Sequence, residues 1–353
     1  MGFEPDYRYV VEAATNKKPR RLPLFEPFIA PQIMGAILGV PLTWDMQSGS
    51  HSDLREYVTA ACRFYKEMTY DTVTYQVGLI EVLPGHGAIY GGKPGPIQTR
   101  ADFEKYPWGE LAGLFKADAE RKFDALCECL PAGMRGIGGI GYGPFETSQD
   151  LVGLVGLSYM LVDDPELFAE IFRRLGDLFV ELWTWFLGRY GQHWCVCMMS
   201  DDLGYKTGTM LSPETIVTHF VPQYRRIVAC LHKSGKPVLF HSCGHIFDVM
   251  DDIIGTGIDA KHSNEDVVAP FERWIENYGE RVGLFGGIDL DFLCQGSADE
   301  VYETVLEKGA RYRKAANGYV LGSGNSIPEY TPVENYLAMI RAAQKIREME
   351  GTV

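Results

Sequence analysis

The chain has 353 residues, 46% of them apolar, with 39 glycines and a formal charge of −14. That length and apolar content suffice for one large α/β barrel or two smaller domains. The charge argues against nucleic-acid binding, which needs a positive footprint, and no basic tract exceeds Lys17-Lys18-Pro19-Arg20-Arg21. No apolar run reaches the roughly 20 residues that span a bilayer. The first residues lack the charged-then-apolar layout of a signal peptide, and Asp6 stands where a myristoylation signal needs Ser or Thr. Eight scattered cysteines suit a reduced, cytoplasmic protein.

Residues 5–15 read as a short amphipathic helix, broken by Lys17-Lys18-Pro19. Leu22-Pro-Leu-Phe-Glu26 is a compact apolar run and reads as the first strand, with Glu26 at its C-terminal end. Ser52 is placed to cap a helix from Asp53 to about Met68, with apolar Leu54, Val58, Ala61, Cys62 and Tyr65. Asp71 to Val77 alternates β-branched and aromatic residues, a second strand. Leu83 to Pro96 is rich in Gly and Pro and reads as a loop or small hairpin, before helical text from Lys116 to Cys129. Met134 to Gly143 is a third strand opening into Tyr142-Gly-Pro-Phe-Glu146.

Asp150–Leu161 and Pro165–Tyr190 are helical, the second capped by Asp163 or Asp164 with Pro165 at its first position. Trp194 to Met199 is a fourth strand ending in Ser200-Asp201-Asp202, and Ser212-Pro213 opens a helix that Gly235 closes. Pro237 to Cys243 is the fifth strand, Gly257 to Lys261 the sixth, Val282 to Gly287 the seventh and Gly318 to Gly322 the eighth. Ser297-x-x-Glu300 and Thr331-Pro-Val-Glu334 read as capping boxes that open the last two helices.

Eight strands alternating with helices is the arithmetic of a (β/α)8 TIM barrel, here one domain over 1–353 with an N-terminal helical extension. Polar residues gather at the C-terminal strand ends, the catalytic face of such barrels: Glu26, Glu146, Asp201, His241, Cys243, His262, Glu265, Asp289 and Asn325. In an extended strand His241 and Cys243 share a face, so an imidazole and a thiolate can meet one metal ion. Asp201 and Asp202 end a strand, and one of them is expected to face the pocket; Glu146 overhangs the mouth. Cys195 and Cys197 share a face by parity and read as small core residues, while Tyr75, Tyr142 and Trp44 are aromatics of pocket or core.

The order Asp201-Asp-Leu-Gly-Tyr-Lys-Thr-Gly208, Leu211-Ser-Pro-Glu, His241-Ser-Cys-Gly-His, Gly257-Ile-Asp, Gly286-Gly-Ile-Asp289 and Gly322-Ser-Gly-Asn-Ser-Ile-Pro328 resembles the uroporphyrinogen decarboxylase superfamily. The resemblance runs to the last helix, is densest from residue 200 onward, and implies a (β/α)8 barrel. The metal-free decarboxylases carry an arginine-rich signature of the form Met-Arg-Gln-Ala-Gly-Arg after the first strand. This chain has Glu26-Pro-Phe-Ile-Ala-Pro-Gln there, without arginine.

The His-x-Cys is instead similar to the corrinoid-linked methyltransferase branch, in whose coenzyme M members zinc is held by that pair and by a later Cys; Ser323 takes the later position here. Lys261-His-Ser-Asn-Glu-Asp266 resembles methyl-donor-side enzymes of O-demethylase systems. The resemblance implies zinc on His241 and Cys243, completed by His262 or Glu265. Asp201, Asp202 and Glu146 would be the catalytic groups, and Glu26, Tyr75, Tyr142, Asp289 and Asn325 the substrate contacts. The implied reaction moves a methyl group from a small O-methylated donor to a corrinoid carried by a partner protein, and a homodimer is compatible with it. The alternatives are a metal-free, decarboxylase-like lyase and a barrel that binds a small ligand or tetrapyrrole.

Overall fold

The computed structural model describes residues 3–91 and 93–352. Its centre is one parallel sheet of seven strands in chain order. These are β1 (Thr72–Gly78), β2 (Arg135–Gly141), β3 (Trp194–Ser200), β4 (Val238–His241), β5 (Ala260–His262), β6 (Gly283–Ile288) and β7 (Tyr319–Ser323). Helices cover its outer face. The longest, Pro165–Tyr190, begins with Pro165 behind an Asp164 cap that accepts the Leu167 N–H at 3.0 Å. Its Leu167, Phe168, Ile171, Phe172, Leu175, Leu178, Phe179, Leu182 and Phe186 recur at helical spacing and are all buried.

The first expected strand differs from the other seven. Leu22–Glu26 joins β7 only through an isolated parallel bridge, Leu24 to Leu321, with the Phe25 N–H on the Leu321 carbonyl at 3.0 Å. Toward β1 it makes no ladder among the described residues. Pro23 and Pro27 remove two of the N–H groups a ladder would use. Arg347 takes the Leu22 carbonyl at 2.8 Å and the Thr69 carbonyl at 3.0 Å, and a buried Arg21–Asp71 ion pair spans the same seam. Side chains close this edge where backbone does not. The close approach to β7 requires Gly322, because a Cβ there would run into the Phe25 carbonyl.

Inside the sheet lie Phe25, Ile137, Cys195, Val196, Met198, Leu239, Ala260, Phe285 and Val320. The helix Arg8–Ala14, expected as an N-terminal extension, packs Val10, Ala13 and Ala14 onto this inner cluster and plugs its lower end. Cys195 and Cys197 do not share a face. The β2–β3 register shifts between Gly136 and Ile137, so Cys195 packs inward and Cys197 packs against the helix layer.

Three helix starts also move. Ser50, not Ser52, caps His51–Glu67 in a capping box with Asp53. The text at 150–161 divides at Gly153, which has φ 88°, into Pro144–Val152 and Leu154–Asp163. Thr331 caps nothing, since the last helix starts at Val333 behind Pro332. No helix of the described residues is long and apolar enough to cross a membrane.

Candidate functional site

β4 ends at His241, so Cys243 lies beyond the strand, on the turn Ser242-Cys243-Gly244. That turn returns the sulfur to the histidine: Cys243 Sγ is 3.5 Å from His241 Nε2. The turn is held against the loop after β3. Gly244 has φ 76°, and a Cβ on it would strike the Gly204 backbone. Leu203 N–H donates to Ser242 Oγ at 3.1 Å, His245 N–H to the Tyr205 carbonyl at 2.7 Å, and Cys243 N–H to Asp202 Oδ1 at 2.8 Å. Asp202, His241 and Cys243 thereby offer a carboxylate oxygen, an imidazole nitrogen and a thiol sulfur that all lie within 4.8 Å of one another. One O, one N and one S donor at this spacing suit zinc.

Burial pushes the Cys243 thiol up, so in the metal-free protein it is protonated, and binding a cation there releases a proton. Asn325 Nδ2 at 3.4 Å and Ser263 Oγ at 3.6 Å approach the same sulfur and would support its thiolate. Burial lowers His241, against the pull of Asp202, which favours the neutral ring a metal needs.

The two strand-end acids separate. Asp201 is fully buried and accepts from Phe145 N–H at 2.9 Å, Glu146 N–H at 2.8 Å and Tyr224 Oη–H at 2.6 Å. It anchors the first turn of Pro144–Val152, and burial raises it while these donors work against the rise. Asp202 is the acid that reaches the cavity. The cavity holds about 250 Å³ and is walled by residues including Phe28, Gln76, Glu81, Tyr142, Glu146, Ser200, Asp202 and His241. Glu146 is raised well above the carboxylate range by burial first, then by Asp202 and Asp201. Tyr142 has φ 62° and its hydroxyl lies 3.1 Å from that of Tyr90.

The structure does not bring His262 or Glu265 into the cluster of three. His262 Nδ1 lies 2.8 Å from His241 Nδ1, and its Nε2 lies 3.0 Å from the Ser323 carbonyl. Glu265 is half-buried on the loop after β5, close enough to act on Cys243 through its charge. Asp289 is a cap, accepting from Phe292 N–H at 3.0 Å and Asp266 N–H at 2.8 Å, and is not a wall of the cavity. Tyr75 points from β1 toward Phe123 and lines a second space of about 420 Å³, which shares Pro27, Phe28, Gln76, Gly78 and Glu81 with the first. Trp44 stands in the wall of that second space, tilted against Phe28 at 4.8 Å. Asp202 as a third donor could have been found by noting that the turns after β3 and β4 are neighbours in a barrel. The preference for it over Asp201 could not.

Glu26 and Ser323 pair in the interior. Ser323 N–H donates to Glu26 Oε1 at 2.7 Å, and Ser323 Oγ lies between Glu26 Oε2 and the Asn325 carbonyl, 2.8 Å from the latter. A serine has one O–H. Given to the Asn325 carbonyl, it leaves Glu26 Oε2 to carry the proton between them. Burial pushes Glu26 up to about 8 despite the Ser323 bonds.

The folded state thus keeps a proton that the unfolded chain releases near 4.5, the ordinary value. Between those pH values stability falls as pH rises, by about 1.4 kcal/mol per unit where one proton is at stake. Glu26→Gln keeps both bonds without the proton. Denaturant titrations at several pH values from 5 to 8 are expected to show the variant gaining on the wild type as pH rises. A constant difference across the series would remove the buried proton from Glu26.

The sequence model described as uroporphyrinogen decarboxylase (URO-D) matches residues 123–346. The chain belongs to the uroporphyrinogen decarboxylase family. Among solved structures, a methyltransferase from Methanosarcina mazei is similar with a TM-score of 0.78 at 15% identity, over 97% of this chain and 99% of that one. At that identity the likeness shows the fold. A 3-keto-D-glucoside 4-epimerase from E. coli, covering 83% of this chain and 95% of that one at 12% identity, has a TM-score of 0.41 and carries no argument. No curated protein matches. Glu26 is paired to Ser323, and Pro27, Phe28 and Ile29 beside it line the walls of the two spaces.

Proposed function

We propose that this protein is a zinc-assisted methyltransferase that moves a methyl group from a small O-methylated donor to a corrinoid held by a partner protein. The observation that carries the reading is the convergence of Asp202, His241 and Cys243 within 4.8 Å, with Asp202 and His241 on the wall of a cavity that Glu146 also lines. In this reading Leu22–Glu26 counts as the eighth stave of a (β/α)8 barrel, and the site lies at its C-terminal mouth.

Three protein donors leave one position for the donor's oxygen, and zinc bound there would supply Lewis-acid activation of that oxygen as a leaving group. The corrinoid is the co-substrate that takes up the methyl carbon. The C–O bonding pair stays with the oxygen. Glu146, kept protonated by burial and by the acids beside it, delivers a proton to that oxygen, so the product leaves as an alcohol or phenol. Phe28 and Tyr142 wall the space in which the donor sits. The same wall has Glu81, Glu146 and Asp202 but no Arg or Lys among its described residues, which disfavours a substrate carrying several carboxylates. That is why the lyase and tetrapyrrole readings rank lower.

The test is direct. Purified protein is loaded with zinc, mixed with reduced free corrinoid and a panel of small methyl ethers, and methyl-corrinoid is followed by absorbance. Zinc-dependent methylation is expected. Failure to retain zinc, or zinc-independent release of carbon dioxide from a carboxylated substrate, would overturn the reading.

A further inference from the structure

His241 and His262 meet edge to edge, with ring centroids 5.0 Å apart, planes at 29° and Nδ1 atoms 2.8 Å apart. Two nitrogens at that distance share one hydrogen. The other nitrogen of His262, Nε2, faces the Ser323 carbonyl at 3.0 Å. A carbonyl only accepts, so Nε2 carries the hydrogen, and in a neutral ring Nδ1 is then bare. It must accept from His241 Nδ1–H, which leaves His241 Nε2 bare. That nitrogen faces Cys243 Sγ at 3.5 Å and Asp202 Oδ1 at 3.7 Å.

The chain of bonds is rigid at its far end. His262 is fully buried, with Phe25 edge-on at 5.3 Å. Ser323 is held by Glu26 through its N–H, and Gly324 N–H is bonded to the Ile288 carbonyl. Because the Ser323 side chain is turned to Glu26 and the Asn325 carbonyl, only its main-chain oxygen faces the histidines.

We propose that His262 is a positioning residue: with the Ser323 carbonyl it locks His241 in the Nδ1–H tautomer and presents the bare Nε2 to Cys243 and Asp202. The proposal rests on the reading of those three residues as the metal ligands. Partners of this kind change metal affinity about 10- to 100-fold when removed. His262→Phe fills the space and removes both nitrogens. His262→Gln restores one acceptor toward His241 and one donor toward Ser323, since an amide O and N are spaced like the two ring nitrogens.

The experiment has two arms on the full chain. In the metal-free protein, nitrogen-15 NMR of labelled histidines, with His241→Ala to assign the signal, is expected to show His241 protonated at Nδ1. In His262→Phe the proton should move toward Nε2, and in His262→Gln it should stay. Zinc affinity by chelator competition should fall about 10- to 100-fold in His262→Phe and recover to within a few-fold in His262→Gln. An unchanged His241 tautomer in His262→Phe would overturn the proposal. Equal loss of affinity in both variants would do so too, since it would mark a packing role. A wild type that binds no zinc would refute the methyltransferase reading, while the tautomer arm would still decide the role of His262.

Discussion

Alanine at Asp202, His241 or Cys243 is expected to strip zinc from the protein and to abolish methyl transfer, with losses above the roughly 100-fold that outer partners command. Each residue supplies one of the three donor atoms that lie within 4.8 Å of one another, so two remaining donors cannot hold the ion at micromolar zinc. Metal per chain by elemental analysis, with folding checked by circular dichroism, tests this. Full metal content in His241→Ala and Cys243→Ala would show the site to be wrongly drawn.

Ser323→Cys sharpens the case. The resemblance places a zinc-binding Cys at that position, but here the side chain is turned to Glu26. The variant is expected to gain no zinc affinity, and a tighter site would mean that the segment can rearrange. Zinc affinity of the wild type should also rise with pH, because burial pushes the Cys243 thiol up and binding must expel its proton.

Glu146→Gln is expected to lower turnover by about 10²- to 10⁴-fold, the usual worth of a general acid. The carboxyl lines the cavity beside Asp202 and His241, on a helix whose first turn Asp201 holds in place. Burial raises it, so the active form is the protonated one and the wild-type rate should fall as pH rises through that raised value. The glutamine variant cannot donate a proton and should lack this limb. Donors with acidic leaving groups need the proton least and should lose least. A uniform loss across donors of different acidity, with the pH profile unchanged, would return Glu146 to a structural role.

Much of this molecule could be read from the chain before any contact was known. Val238-Leu-Phe240 and Trp194 to Met199 are short, continuous apolar runs of the kind that strands buried on both faces carry, and they lie in β4 and β3. Asp164-Pro165 and Ser297-x-x-Glu300 start their helices as local capping chemistry requires. The first strand was harder. Leu22–Glu26 has the apolar content of a strand, yet its prolines remove N–H groups, and whether a ladder forms depends on the neighbour. Parity misplaced Cys195 because a register shift is a relation between two strands.

The sequence by itself determined the α/β class, where the seven strands of the sheet lie along the chain and that His241, Cys243 and one acid of the Asp201-Asp202 pair stand at strand ends, because each follows from local apolar runs and caps. The tertiary structure decided which acid faces the cavity, what His262 is bonded to and where the Ser323 side chain points. Those choices rest on hydrogen bonds between residues far apart in the chain: Asp201 to Phe145 and Tyr224, His262 to Ser323, and Ser323 to Glu26. A strand-end side chain turns toward whichever buried donor or acceptor needs a partner, and those partners meet only when the sheet has formed.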